Sequence, residues 1–321
     1  MKYFNKLYSC VPTIIEEYSN QKELSEVNED EFKKDYLPQP QPWYQILYKV
    51  ICFFVFLGPL RIVFCFGGAI VLLGISVIFR MFLHSIGKGD MFQKETFYFD
   101  AVAFRLMALS FGIVYINKKG DIDPETRIFY ANHTAFIDPF IICCTNMISS
   151  VMKIELSYNK ITRYIYECCD PIYVDRKVAK GATKYIIERA NDDKRIPILI
   201  YPEGTLTNGE CLLKFHRGAF LTENKVQPIA VRYWQPLVPK GWNTYAWVEP
   251  NTIKHFLCLF SMPFSFVNVE YLSPIQLNKE GNGNVEEFTK YAQLILANKL
   301  KVKAINKSSD LIFRTKKEKN E

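Results

Sequence analysis

From Ile62 to Phe79 the chain runs through 18 consecutive residues that are all apolar, glycine or serine. A helix made from such a run has no polar face to turn toward water. Its length sits at the lower edge of the roughly 17–25 residues that cross a bilayer's hydrocarbon core. A second apolar stretch, VICFFVFL (50–57), precedes it, set apart by Gly58, Pro59 and Arg61. Two membrane geometries fit. One is a single span over 62–79 with Arg61 snorkelling to the interface. The other is a helical hairpin over 46–83 that enters and leaves by one face, with Gly58-Pro59 near its turn. Trp43, Tyr44 and Tyr48 suit an interfacial aromatic belt in either case. Arg80, Lys88 and Lys94 follow the run and more acidic than basic residues precede it, which places the larger part on the cytoplasmic side.

This segment divides the chain. Residues 1–42 form a polar segment ending in a Pro-rich linker, LPQPQPW, which predicts a stiff, extended connection into Trp43. They lack the apolar core and cleavage site of a signal peptide. Residues 43–90 make the membrane-embedded part, 91–305 a folded domain, and 306–321 a charged tail. The net charge of +7 suits anionic headgroups and phosphate-bearing ligands. No basic, aromatic-interleaved stripe points to nucleic acid. The nine cysteines form no CxxC pair, so reduced thiols are expected, with no disulfide framework and no metal site.

Beyond residue 95 short apolar runs alternate with helical spacing. RIFYA (127–131), PIYV (171–174), IPILIY (196–201) and VQPIAVRY (226–233) read as buried strands, and FVNVEYL (266–272) as an outer one. Helices are expected over 138–149, 156–167, 177–191 and 286–302. The fold class is therefore α/β: a mixed, largely parallel sheet flanked by helices, with an N-terminal membrane helix or helical hairpin.

Two clusters follow buried strands, where open α/β sheets place ligands. The first is NHTAFIDPF (132–140), with His133 and Asp138 five residues apart. On one helix that step turns about 140°, so the pair meets only if His133 sits in the turn and Asp138 opens the next helix. The histidine then takes a proton from a hydroxyl while the aspartate orients it, the base half of a triad without an enzyme nucleophile. Asn132-x-Thr134 also matches a glycosylation pattern, which a bulky glycan in this turn makes unsuitable. The second cluster, YPEGTLTNG (201–209), offers Glu203 for hydroxyls or a cationic side chain, Gly204 for close backbone approach, and an Asn208-Gly209 turn.

In this order and 70 residues apart, the clusters resemble the glycerolipid acyltransferase family, the bacterial PlsC type, with its His-x4-Asp and Glu-Gly-Thr signatures. CCDPIYVDR (168–176) is similar to the family's second block, ending in Arg176, and VQPIAVRY to its fourth. The resemblance covers residues 95–275. KFHRGAF (214–220), EGTLTNG and the position of Arg61 are most similar to the lysophosphatidylcholine and lysophosphatidylethanolamine acyltransferase branch. No Asp-x-Asp-x-Asp-Gly loop occurs, so calcium control is not expected. The resemblance implies acyl-CoA as co-substrate, no resident cofactor, and a phospholipid bilayer and a lysophospholipid as partners. It implies His133 and Asp138 as catalytic residues, Glu203, Gly204, Thr205 and Arg176 as substrate-binding residues, and the endoplasmic reticulum membrane as location. The nearest alternative acceptors are glycerol 3-phosphate and lysophosphatidic acid.

Overall fold

The computed structural model describes residues 8–36, 42–87, 92–160, 170–175, 182–239 and 251–309, with Arg163, Tyr166, Trp242, Tyr245 and Ala246. The Pro-rich linker at 37–41, Arg176, residues 177–181 and the tail beyond 309 lie outside the described residues. In chain order the elements are β1 (Tyr8–Val11), α1 (Glu29–Tyr36), α2 (Trp43–Val55), α3 (Gly58–Ser85) and α4 (Phe92–Ser110). Next come β2 (Ile113–Lys119), β3 (Ile128–Ala131), α5 (Asp138–Cys143), β4 (Ser149–Lys153), β5 (Ile172–Val174), α6 (Ala182–Ala190) and β6 (Ile198–Ile200). The last are β7 (Cys211–Leu212), β8 (Val226–Pro239), α7 (Thr252–Phe260), β9 (Ser265–Tyr271), α8 (Leu277–Glu280), α9 (Val285–Leu300) and β10 (Lys303–Ala304).

The main sheet has the order β2-β9-β8-β3-β6-β4-β5, with β1 also paired to β8. β3 is parallel to both β6 and β8, while β8 is antiparallel to β9 and to β1. Strand β3 is buried at every position, as a strand covered on both faces must be. Its alternation sends Phe129 and Ala131 into a core shared with Phe104 of α4 and Phe140 of α5. Ile128 and Tyr130 go to the other face, against Phe288 and Leu296 of α9. Helix α9 starts where the Asn284 side chain accepts from the Glu286 and Glu287 N–H groups.

The fold departs from the sequence expectation in two places. β9 is not an outer strand: it lies between β8 and the edge strand β2. The helix expected over 138–149 stops at Cys143, because Ser149 and Ser150 begin β4 and pair with Ile198 and Leu199 of β6. The helix expected over 156–167 is present in part: Leu156 and Ser157 belong to a 3-10 turn, while Lys160, Arg163 and Tyr166 are helical and the positions between them lie outside the described residues.

The apolar run lies within α3, 28 residues that are mostly exposed, with Val63, Phe64, Val71, Ile75 and Ile78 each more than half accessible. A turn at Gly58-Pro59 is present, with Leu57 in the left-handed region ahead of it. Its helical partner, however, is α4 rather than α2. Arg80 pairs with Asp100 and donates to Thr96, Leu106 lies beside Gly68, and the Phe66 and Phe111 rings are in contact, which defines an antiparallel hairpin. Helix α2 instead seats on the sheet domain through Tyr48 on Leu237 and Phe56 on Phe264. Arg61 does not snorkel outward. Its Nη2 donates to the Phe260 and Met262 carbonyls at 2.8 Å each, satisfying the open end of α7.

The N-terminal segment is docked as well. β1 pairs with β8, Gln21 exchanges hydrogen bonds with Asn298, Val302 and Ala304, and Val27 and Phe32 pack on Cys211, Leu213 and Ile305. The polypeptide before and after α3 thus belongs to one sheet.

Candidate active site

Strands β3 and β6 are parallel neighbours with Tyr130 opposite Ile200, so the residues that follow each emerge at the same sheet edge. This is why 132–138 and 201–209 meet. Just past β3, the buried Asn132 side chain accepts from the Val231 N–H at 2.9 Å and donates to the Val231 carbonyl at 3.0 Å. The amide thereby extends the β3–β8 ladder by one rung, and its burial leaves no room for a glycan.

The turn that follows brings His133 and Asp138 together. The Asp138 Oδ2 accepts from the Thr134 and Ala135 N–H groups at 2.9 Å each and lies 3.0 Å from His133 Nδ1. Its Oδ1 accepts from the Tyr233 hydroxyl, on β8. Burial and the adjacent carboxylate push the Tyr233 phenol well above its ordinary pKa, so it stays a donor. Three donors, two main-chain N–H groups and the Tyr233 hydroxyl, already converge on a fully buried carboxylate that can only accept. The proton between it and the imidazole therefore sits on Nδ1, leaving the Nε2 lone pair as the proton acceptor. The imidazole is 18% exposed, and one face stacks on Tyr201, with ring centroids 3.9 Å apart and planes at 20°.

The second cluster wraps the first. Glu203 is fully buried; one oxygen accepts from the His133 N–H at 3.2 Å and the other from the Leu213 N–H at 3.0 Å. Burial raises its carboxyl to about 8, against the lowering effect of those two N–H groups. Gly204 has φ +70°, and a Cβ there would stand 3.0 Å from the His216 ring, so both conformation and space call for glycine. Thr205 is half-buried in the same turn. Asn208-Gly209 forms the expected turn, with the Asn208 side chain accepting from the Glu210 N–H, and Val11 packs where a Gly209 Cβ would project.

Of the six residues singled out from the sequence, the structure gathers His133, Asp138, Glu203, Gly204 and Thr205 at one edge; Arg176 lies outside the described residues. Tyr201, Tyr233 and Asn132 were not anticipated. Each sits in or beside a quoted block, but a tyrosine on an apolar strand reads as core until its neighbours are known.

The arrangement is an α/β domain with a histidine–carboxylate pair poised over a sheet edge, flanked by an apolar helical layer. Residues 105–232 match the family model Acyltransferase. It is 29% identical over 210 residues to the "Lipid droplet-regulating VLDL assembly factor AUP1 homolog" of Caenorhabditis elegans, covering 62% of this chain and 48% of that protein. It is 28% identical to lysophosphatidylcholine acyltransferase 2 of Danio rerio, covering 68% and 43%, and 27% identical to glycerol-3-phosphate acyltransferase 3 of Gallus gallus, covering 74% and 52%. The chain spans about half the length of these curated relatives. Among solved structures, the 1-acyl-sn-glycerophosphate acyltransferase PlsC of Thermotoga maritima aligns with TM-score 0.49 and 15% identity, over 72% of this chain and 94% of that one.

Proposed function

We propose that the protein transfers a fatty acyl group from acyl-CoA to the free hydroxyl of a lysophospholipid, lysophosphatidylcholine or lysophosphatidylethanolamine, at the endoplasmic reticulum membrane. The observation that carries this reading is the His133–Asp138 hydrogen bond with Nε2 left to act as base. Nε2 takes the acceptor's hydroxyl proton as its oxygen attacks the thioester carbonyl. The C–S bond then breaks, and the imidazolium returns the proton to the departing thiolate. A thioester is already activated, so positioning and proton transfer are the work left to the protein. Gly204, Thr205 and Arg176 are proposed to face the acceptor; a guanidinium suits its phosphodiester. Glycerol 3-phosphate or lysophosphatidic acid is the second reading, supported by the likeness to glycerol-3-phosphate acyltransferases.

Helix α3 supports a membrane location. Because β1 and β9 both pair with β8, a single crossing by α3 would tear β1 from the sheet. The α3–α4 hairpin is therefore proposed to enter and leave the bilayer by one face. Its Arg80–Asp100 pair, buried between the helices, keeps both charges from lipid.

The test is transfer from radiolabelled acyl-CoA in membranes holding the full chain, with lysophosphatidylcholine, lysophosphatidylethanolamine, lysophosphatidic acid and glycerol 3-phosphate as acceptors. Wild-type protein is expected to acylate the first two, and His133→Ala none. Transfer by His133→Ala at the wild-type rate refutes the base assignment, and exclusive use of glycerol 3-phosphate or lysophosphatidic acid selects the second reading.

A further inference from the structure

Both backbone polar groups of His133 are held by the turn after β6. Its N–H donates to Glu203, and its carbonyl accepts from the Thr207 N–H at 3.1 Å. The other Glu203 oxygen is spent on Leu213, the residue after β7, which is itself paired with β10. The carboxyl group is fully buried, with each oxygen engaged by a separate main-chain donor. Because it is fully buried, an acceptor hydroxyl could reach it only by opening the turn.

From this geometry we infer that Glu203 is a positioning residue that clamps the His133 turn between β3, β6 and β7, and is not a ligand of the acyl acceptor. The Glu-Gly-Thr turn then divides its work. Glu203 looks inward and sets the backbone of the base, while Gly204 and Thr205, both half-buried, are what the turn presents outward. The clamp fixes where the imidazole starts, and Asp138 and Tyr201 fix how it is rotated. The inference rests on the acyl-transfer reading for its kinetic consequence, but not for its structural one.

Glu203→Gln tests it. An amide nitrogen has no lone pair for an N–H, so one of the two main-chain bonds is lost while size is kept. A base displaced by a fraction of an ångström slows the chemical step, so kcat is expected to fall about 10- to 100-fold with acceptor KM within about twofold of wild type. Hydrogen–deuterium exchange should rise in the peptide carrying His133. A rise in acceptor KM of about tenfold or more with kcat kept would overturn the inference. So would unchanged kcat together with unchanged exchange. If Glu203→Gln does not accumulate folded, Glu203→Asp keeps the acid but is too short to reach both donors, and the same split decides. Should wild-type protein transfer no acyl group at all, the reaction assignment fails while exchange at His133 still reports on the clamp.

Discussion

Asp138→Asn separates the charge of the carboxylate from its geometry. Of the two carboxyl oxygens, Oδ2 faces three donors, the Thr134 and Ala135 N–H groups and His133 Nδ1, whereas Oδ1 faces a hydroxyl that can turn round. An asparagine should therefore keep its carbonyl at the Oδ2 position and direct its NH₂ to Tyr233, which accepts by rotating its proton. The histidine keeps its tautomer, and only the negative charge disappears. At 3.0 Å and an effective dielectric of about 20, that charge and an imidazolium attract by about 5 kcal/mol. Water reaching the 18% exposed imidazole, and the remaining carbonyl dipole, retain part of this, so the loss is about 3 kcal/mol, or on the order of 10² in rate. The assay is kcat with acyl-CoA and whichever of the four tested acceptors the wild-type protein uses, beside thermal unfolding in the same detergent. A folded Asp138→Asn with wild-type kcat would refute the electrostatic role.

The accommodation itself has a second test. In Asp138→Asn combined with Tyr233→Phe, the amide NH₂ faces a ring and is buried without an acceptor, which costs about 1–3 kcal/mol of stability beyond the sum of the single changes. Strict additivity in unfolding free energy would show that Tyr233 does not turn to receive the asparagine.

Asn132→Ala leaves the Val231 N–H and carbonyl buried without their partner, and is expected to destabilise by about 2–4 kcal/mol, read as a drop in Tm of several degrees. Gly204→Ala forces a side chain into φ +70° and against the His216 ring; activity should fall, and adding His216→Ala should restore the steric part but not the conformational part, about 1–2 kcal/mol. Glu203 links stability to pH. Its ordinary pKa of 4.5 rises to about 8 on folding, so the native state holds a proton that the unfolded chain releases. That contribution is complete below the ordinary value and disappears as pH climbs through the folded one. Relative to wild type, Glu203→Gln should therefore gain in Tm between pH 5 and pH 8.5, and parallel curves would contradict the assignment.

How much of this was legible depends on what holds each element. The buried strands β3 and β6 announce themselves because a strand covered on both faces has to be apolar throughout, and their carboxyl ends deliver His133 and Glu203. The edge strand β2 carries exposed Val114 and Tyr115 and ends in Asn-Lys-Lys, so no simple alternation marks it. β4 begins with two serines that carry no strand signal, the first of them inside the helix expected over 138–149, yet both pair with β6. The N-terminal segment is held largely by amides and ion pairs, Gln21 with Asn298 and Lys301 with Glu16, so its composition looks like that of a solvated tail.

The apolar run shows why composition finds a helix long and apolar enough to cross a membrane more readily than it finds that helix's partners. Hydropathy is additive along the chain and insensitive to partners; a pairing such as Arg80 with Asp100 is neither. Asp100 makes α4 look too polar to accompany α3, until its charge is seen to face the one arginine that ends the run. Arg61 at the other end, which would have marked the water interface of a spanning helix, turns inward to the carbonyls that close α7. Both charges that bound the run are thus committed to protein, and β1 anchors the chain ahead of α3 to the sheet that follows it. Tags at the two termini should accordingly share one side of the membrane in protease protection of sealed vesicles. Protection of one terminus alone would require β1 to leave β8, and the sheet described here could not then be the membrane-bound form.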